Sequence, residues 1–148
     1  MKIGGKVLVV DDEAHIRKFV AVLLESIATE PEILQAANGG EALQVYEREK
    51  PRLVLLDVNM PRVDGLQTLK LLKQADPNCT VVMLTSLVNR QTVEECLRLG
   101  AVGYLRKDNP PEEMTRQLKK IMIDCFGTSP AKRSKVPFPH GPREGPAP

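Results

Sequence analysis

The chain alternates between short, unbroken apolar runs and longer stretches whose apolar residues recur every three or four positions. KVLVV at 6–10 is continuous in the manner of a central parallel strand, buried on both faces. The next segment places Ile16, Phe19, Val20, Leu23, Leu24 and Ile27 on one helical stripe. EILQAA at 32–37 is a shorter, weaker strand. The turn Asn38-Gly39-Gly40 leads into a helix with Ala42, Val45 and Tyr46 inward. LVLLD at 53–57 is a third strand. Pro61 and Asp64-Gly65 break the chain before a helix bearing Leu66, Leu69 and Leu72, which Asp76-Pro77-Asn78 ends. TVVMLT at 80–85 is the fourth strand. Asn89 suits the cap of a helix with Val93, Cys96 and Leu97 inward, stopped by Gly100. AVGYL at 101–105 is the fifth strand. Pro110-Pro111-Glu112-Glu113 then opens a last helix, proline fitting its first turn and acids its positive end. Met114, Leu118, Ile121, Met122 and Cys125 form its apolar stripe.

Five strand–helix units in succession predict an α/β fold: a doubly wound five-stranded parallel sheet in a three-layer α/β/α sandwich, with the flavodoxin-like order 2-1-3-4-5. This domain is expected over residues 1–126. Beyond Phe126 the composition changes. GTSPAKRSKVPFPHGPREGPAP, residues 127–148, has six prolines and no periodicity. Such a segment buries too little apolar surface to offset its ordering entropy, so a Pro-rich, basic, disordered tail or linker is expected.

The strand ends carry the chemistry. Asp11 and Asp12 follow the first strand, Asp57 ends the third, Thr85 and Ser86 end the fourth, and Lys107 lies just past the fifth. In an open parallel sheet these carboxyl ends line one edge, where ligands bind. Clustered carboxylates repel and raise each other's pKa. A bound Mg²⁺ relieves that repulsion, because it takes carboxylate oxygens and keeps several waters. An aspartate is also a nucleophile toward phosphorus, and a lysine and a hydroxyl beside it suit a phosphoryl group. One aspartate at a strand tip often does no more than cap the next helix, and Thr85 alone says little. The four positions taken together point to chemistry.

Composition adds limits. Net charge is +2, with 42% hydrophobic and 27% charged residues, ordinary values for a globular domain. Residues 127–148 hold Lys132, Arg133, Lys135 and Arg143 against Glu144, a balance of +3, so the rest sums to −1. That is a weak case for nucleic acid, and Lys132-Arg133-Ser134-Lys135 reads as a solvated stretch. No apolar run reaches membrane-spanning length, and four apolar residues before two acids do not make a signal peptide; a cytoplasmic protein is expected. Cys79, Cys96 and Cys125 have neither metal nor CxxC spacing and read as reduced, buried thiols. His15 reads as exposed. Gly4-Gly5-Lys6 precedes a strand and lacks phosphate-loop spacing.

VLVVDDE, LVLLDVNMPRVDG, VVMLTS and GYLRK together resemble the receiver domain of two-component response regulators, including the single-domain chemotaxis type, from about Lys6 to Phe126. The D-x-N-M-P-x-x-D-G segment is the most specific. The resemblance implies that Asp57 accepts a phosphoryl group from a histidine kinase or phosphotransfer protein. It implies that Asp11, Asp12, Asp57 and the backbone carbonyl of Asn59 hold Mg²⁺, and that Lys107 pairs with the phosphate. Thr85 and Tyr104 match the switch pair, a hydroxyl that moves to the phosphoryl group and a ring that turns inward behind it. The helix 4–strand 5–helix 5 face is then the surface that signals to a protein target. On this reading the chain is a switch rather than an enzyme, beyond assisting its own phosphotransfer and slow self-dephosphorylation.

Two departures from the pattern stand out. The family lysine is usually followed by proline; here Asp108-Asn109-Pro110 follows. A trans Lys107–Asp108 bond is expected, with Asp108 weakening or displacing the clamp on the phosphate. Leu87, two residues past Thr85, is apolar where a polar residue orients the hydrolytic water, which implies slow dephosphorylation. Two other readings compete: a phosphorylation-independent interaction module, and a Mg²⁺-dependent aspartyl phosphohydrolase. The second lacks a general acid, since Asn59 stands where a D-x-D motif has its second carboxylate.

Overall fold

The computed structural model describes residues 4–60, 65–86 and 90–126. Five strands and five helices alternate along it: β1 (Lys6–Val10), α1 (Ala14–Ile27), β2 (Glu32–Ala36), α2 (Gly39–Glu49), β3 (Leu53–Asp57), α3 (Gly65–Ala75), β4 (Val81–Thr85), α4 (Arg90–Arg98), β5 (Gly103–Arg106) and α5 (Pro111–Phe126). The strands form one parallel sheet in the order β2-β1-β3-β4-β5, as the alternation predicts.

Strand residues alternate between the two sheet faces, and each face has its own core. Val7, Val9, Leu53, Leu55, Val82, Leu84 and Leu105 pack against α1 and α5. Leu8, Val10, Val54, Leu56, Val81 and Met83 pack against α2, α3 and α4. Burial of both faces is why β3 and β4 read as unbroken apolar runs. The helix stripes hold with small departures: Ile16, Phe19, Val45, Leu66 and Leu97 are only partly buried. Asn89 and Leu87 lie outside the described residues, as do Pro61, Asp64 and residues 127–148.

The fifth strand is shifted from its expected place. Ala101 is not in the ladder; its amide donates to Cys96 O at 2.9 Å and closes the end of α4, where Gly100 takes a left-handed φ of 109°. Arg106 instead joins the strand, opposite Thr85. At the amino ends of the strands, Arg52 draws the start of β1 and the end of α5 together. Its guanidinium donates to Gly4 O at 2.8 Å and Cys125 O at 3.1 Å and stacks on the Phe126 ring.

Candidate functional site

The strand order brings the predicted residues together at the carboxyl edge of the sheet. Asp57 ends β3 between β1 and β4, and Asp11 extends β1 by one residue through its amide bond to Ala36 O. Thr85 ends β4, and its carbonyl accepts from Lys107 N at 2.7 Å, which fixes where the lysine leaves β5. Lys107 Nζ reaches across β4 to Asp11 Oδ2 at 2.6 Å and Asp57 Oδ1 at 2.9 Å. Asp11 and Asp57 are buried, whereas Asp12 is exposed.

Each buried carboxylate is held by the local backbone. Asp11 Oδ1 accepts from Glu13 N at 2.9 Å, and Asp57 Oδ1 from Asn59 N at 3.2 Å. The amide of Val58 donates to Leu84 O and that of Gly65 to Val58 O, both at 2.9 Å, so the chain after Asp57 is stitched to β4 and to the start of α3. Gly65 is required there, because a Cβ would overlap Asp57 O and lie 2.6 Å from Val58 Cα.

Burial pushes the Asp57 carboxyl up to about 6; the Lys107 bond pulls it down and the Asp11 charge adds to the rise. Burial also works against the Lys107 ammonium, but its bonds to Asp11 and Asp57 outweigh that and hold its pKa above the ordinary lysine value. One carboxylate oxygen each from Asp11, Asp12 and Asp57 lies within 4.8 Å of the others. Three carboxylates against one ammonium leave a net negative cleft that a divalent cation would neutralise. Asp57 Oδ2 is buried and has no hydrogen-bond partner among the described residues. Such an orphaned oxygen is costly, and a bound cation would satisfy it. The donor set is all hard oxygen, which fits Mg²⁺.

Against this geometry, the model of the response regulator receiver domain matches residues 7–119. The chain belongs to that family. Its receiver domain is similar, at 37% identity over 115 residues, to a Bacillus subtilis protein described as the uncharacterized transcriptional regulatory protein YhcZ; the match covers 76% of this chain and 54% of that one. It is 34% identical to sporulation initiation phosphotransferase F of the same organism, covering 79% of this chain and 93% of that one. Among solved structures, Vibrio cholerae chemotaxis protein CheY4 superposes with a TM-score of 0.70 at 31% identity, over 78% of this chain and 96% of that one. The chain spans about half the length of the first curated relatives it matches. Receiver domains are phosphorylation-activated switches of two-component signalling, mainly phosphoacceptors rather than enzymes, and they use Mg²⁺ at their acidic site. Among the described residues no helix is long and apolar enough to cross a membrane.

Sequence reasoning anticipated Asp11, Asp12, Asp57, Thr85 and Lys107 at this edge. Thr85 and Tyr104 line one small apolar cavity with Val58, Met83, Val93 and Cys96. Asp108 is turned away from the lysine's partners. The Lys107–Asp108 bond is trans, Lys107 reaches both aspartates, and Asp108 spends both its oxygens on Arg106. Arg17 was not anticipated. It donates from Nη1 to Asp11 O at 2.7 Å and from Nε to Gln35 Oε1 at 3.0 Å, tying the first acidic residue to β2. Its position one turn into α1, next to an acidic pair, was the available signal.

Proposed function

We propose that Asp57 is the phosphoacceptor of this receiver domain. The observation that carries the reading is the buried Asp57 Oδ2, without a partner at the tip of β3, while Oδ1 is held by Lys107 and Asn59 N. The free oxygen attacks phosphorus of a phosphohistidine; a P–O bond forms, the P–N bond breaks, and the imidazole leaves with its electron pair and takes a proton. Asp11, Asp12, Asp57 and the Asn59 carbonyl form the Mg²⁺ site. When bound, Mg²⁺ neutralises charge on the transferring oxygens. Lys107, already on Asp57, takes one phosphoryl oxygen. Thr85, at the end of the neighbouring strand, donates its hydroxyl to another.

The cavity shared by Thr85 and Tyr104 is the route from phosphorylation to surface. As the hydroxyl moves toward the phosphoryl group, the ring of Tyr104 fills the space behind it, and the face of α4, β5 and α5 changes shape. Phosphorylation shifts the population only by the difference in its interactions with the two forms. The partners are a histidine kinase or phosphotransfer protein upstream and a protein target downstream. A cytoplasmic location follows from that role. Residues 127–148 serve as a linker or tail.

The test is incubation with acetyl phosphate and Mg²⁺, read by intact mass. A metal-dependent phosphoryl adduct that Asp57→Asn abolishes supports the reading. A wild-type protein that takes no adduct overturns it in favour of a phosphorylation-independent interaction module.

A further inference from the structure

The segment after Lys107 carries no proline at the position where the resemblance calls for one, and side-chain bonds stand in its place. Residues 106–109 form a turn closed by Asn109 N donating to Arg106 O at 3.3 Å. Within it Lys107 points inward to Asp11 and Asp57, while its two neighbours meet each other around it. Arg106 Nε donates to Asp108 Oδ1 at 3.0 Å and Nη2 to Asp108 Oδ2 at 2.7 Å, a two-bond fork between guanidinium and carboxylate.

On the inner side, Asn109 Nδ2 donates to Gln117 Oε1 at 3.4 Å, and Gln117 Nε2 donates to Glu113 Oε2 at 2.6 Å. Gln117 is only 4% exposed, on a helix face otherwise made of Met114, Leu118 and Ile121. A buried amide is costly unless both its ends are bonded. Here one end is bonded to the turn and the other to the preceding turn of α5. The turn is therefore pinned from outside by an ion pair and from inside by a buried amide.

We propose that Asp108 and Gln117 are positioning residues for Lys107. They hold its backbone so that the ammonium meets the phosphoryl site, the task that a fixed proline φ performs elsewhere. The proposal rests on the reading of Asp57 and Lys107 given above. A lysine side chain has four rotatable bonds, and its bridging of two aspartates at 2.6 and 2.9 Å depends on where its backbone is fixed. The fork is half exposed, so salt screens it.

The experiment is a pair of mutant cycles. Asp108→Ala and Gln117→Met are each made in the wild type and in Lys107→Ala. The rate of phosphorylation by acetyl phosphate at saturating Mg²⁺ is followed by intact mass. In the wild-type background each change slows the reaction about two- to fivefold, which for Asp108→Ala is the range an exposed ion pair supports. In the Lys107→Ala background the same changes have almost no effect, because the group they act through is gone. Equal slowing in both backgrounds, or none in either, overturns the proposal. Charge reversal, Arg106→Asp with Asp108→Arg, restores the rate. The Lys107 ammonium resonance in a ¹⁵N-labelled sample gives a readout that needs no phosphorylation. It is distinct in the wild type and averaged by rapid exchange in Asp108→Ala; an unchanged resonance counts against positioning. A wild type that takes no phosphoryl group refutes the reading of Asp57, and this spectrum then still decides the role of the turn.

Discussion

Gly65 lies against the backbone of the residue that ends β3: a side chain of any size on Gly65 would overlap the carbonyl oxygen of Asp57. The start of α3 and the tip of β3 are thus fixed to each other by contact as well as by the bond from Gly65 N to Val58 O. Gly65→Ala forces one of the two to move. The expected result is a loss of about 1–3 kcal/mol in urea unfolding, with Mg²⁺ binding weakened several-fold in a titration. An unchanged midpoint and affinity would mean that α3 shifts freely and does not position Asp57.

Lys107 is the counter-ion of two buried carboxylates, so its removal leaves charge uncompensated. Without metal at pH 7, Lys107→Ala is expected to lose about 3 kcal/mol. Saturating Mg²⁺ should return much of that loss, because a cation replaces the missing ammonium. Thermal melts of both proteins with and without Mg²⁺ measure the effect. An increment from Mg²⁺ no larger in the variant than in the wild type would contradict it.

The raised pKa of Asp57 has a sign that differs from the usual carboxylate. Its ordinary value is 3.8 and in the fold it is about 6. Between these values the folded protein holds a proton that the unfolded chain has released. Stability in the absence of metal therefore falls as pH rises through this window, and the loss is complete above about pH 6. Asp57→Asn has no such group. The variant should gain on the wild type by about 2–3 kcal/mol between pH 4 and pH 7, read from urea unfolding in chelator. A pH-independent difference between the two proteins would show that Asp57 titrates normally.

Cys79, Cys96 and Cys125 are all buried, and burial pushes the Cys96 thiol up to about 11. Burial denies a thiol reagent access to all three, and it also disfavours the thiolate at Cys79 and Cys96. Native protein should react with a disulfide reagent only as fast as it opens, whereas unfolded protein should react at once at all three. A rapid native phase would place at least one cysteine in a more open setting than the fold gives it.

Much of this was legible because burial on both faces leaves an unmistakable mark. β1, β3 and β4 are continuous apolar runs, and a charged or hydroxylated residue directly after such a run has to be at the sheet edge. β5 was harder. Ala101 and Val102 are as apolar as a strand requires, but Ala101 N is taken by the end of α4, and an edge strand with alternating burial carries a weaker pattern. The contacts of Arg106 and Gln117 were not legible at all, and that of Arg17 was hinted at only by its nearness to the acidic pair. Each is a polar side chain whose partner is chosen by the path of a turn or by the approach of another element. No spacing in the sequence encodes that path. Asp108 illustrates the point: read by itself it threatens the lysine beside it, yet its neighbour Arg106 removes it from the cleft.

Arg52 has a different kind of consequence. It sits before β3 and grips the backbone on both sides of the domain, at Gly4 and at Cys125. The start of β1 and the end of α5 therefore leave from one spot, at the end of the sheet opposite Asp57. Cargo joined directly at Gly4 or Phe126 would start out on the side of the domain away from the acidic cleft. A tug on that cargo would be felt first at the root of the strand that bears Asp57.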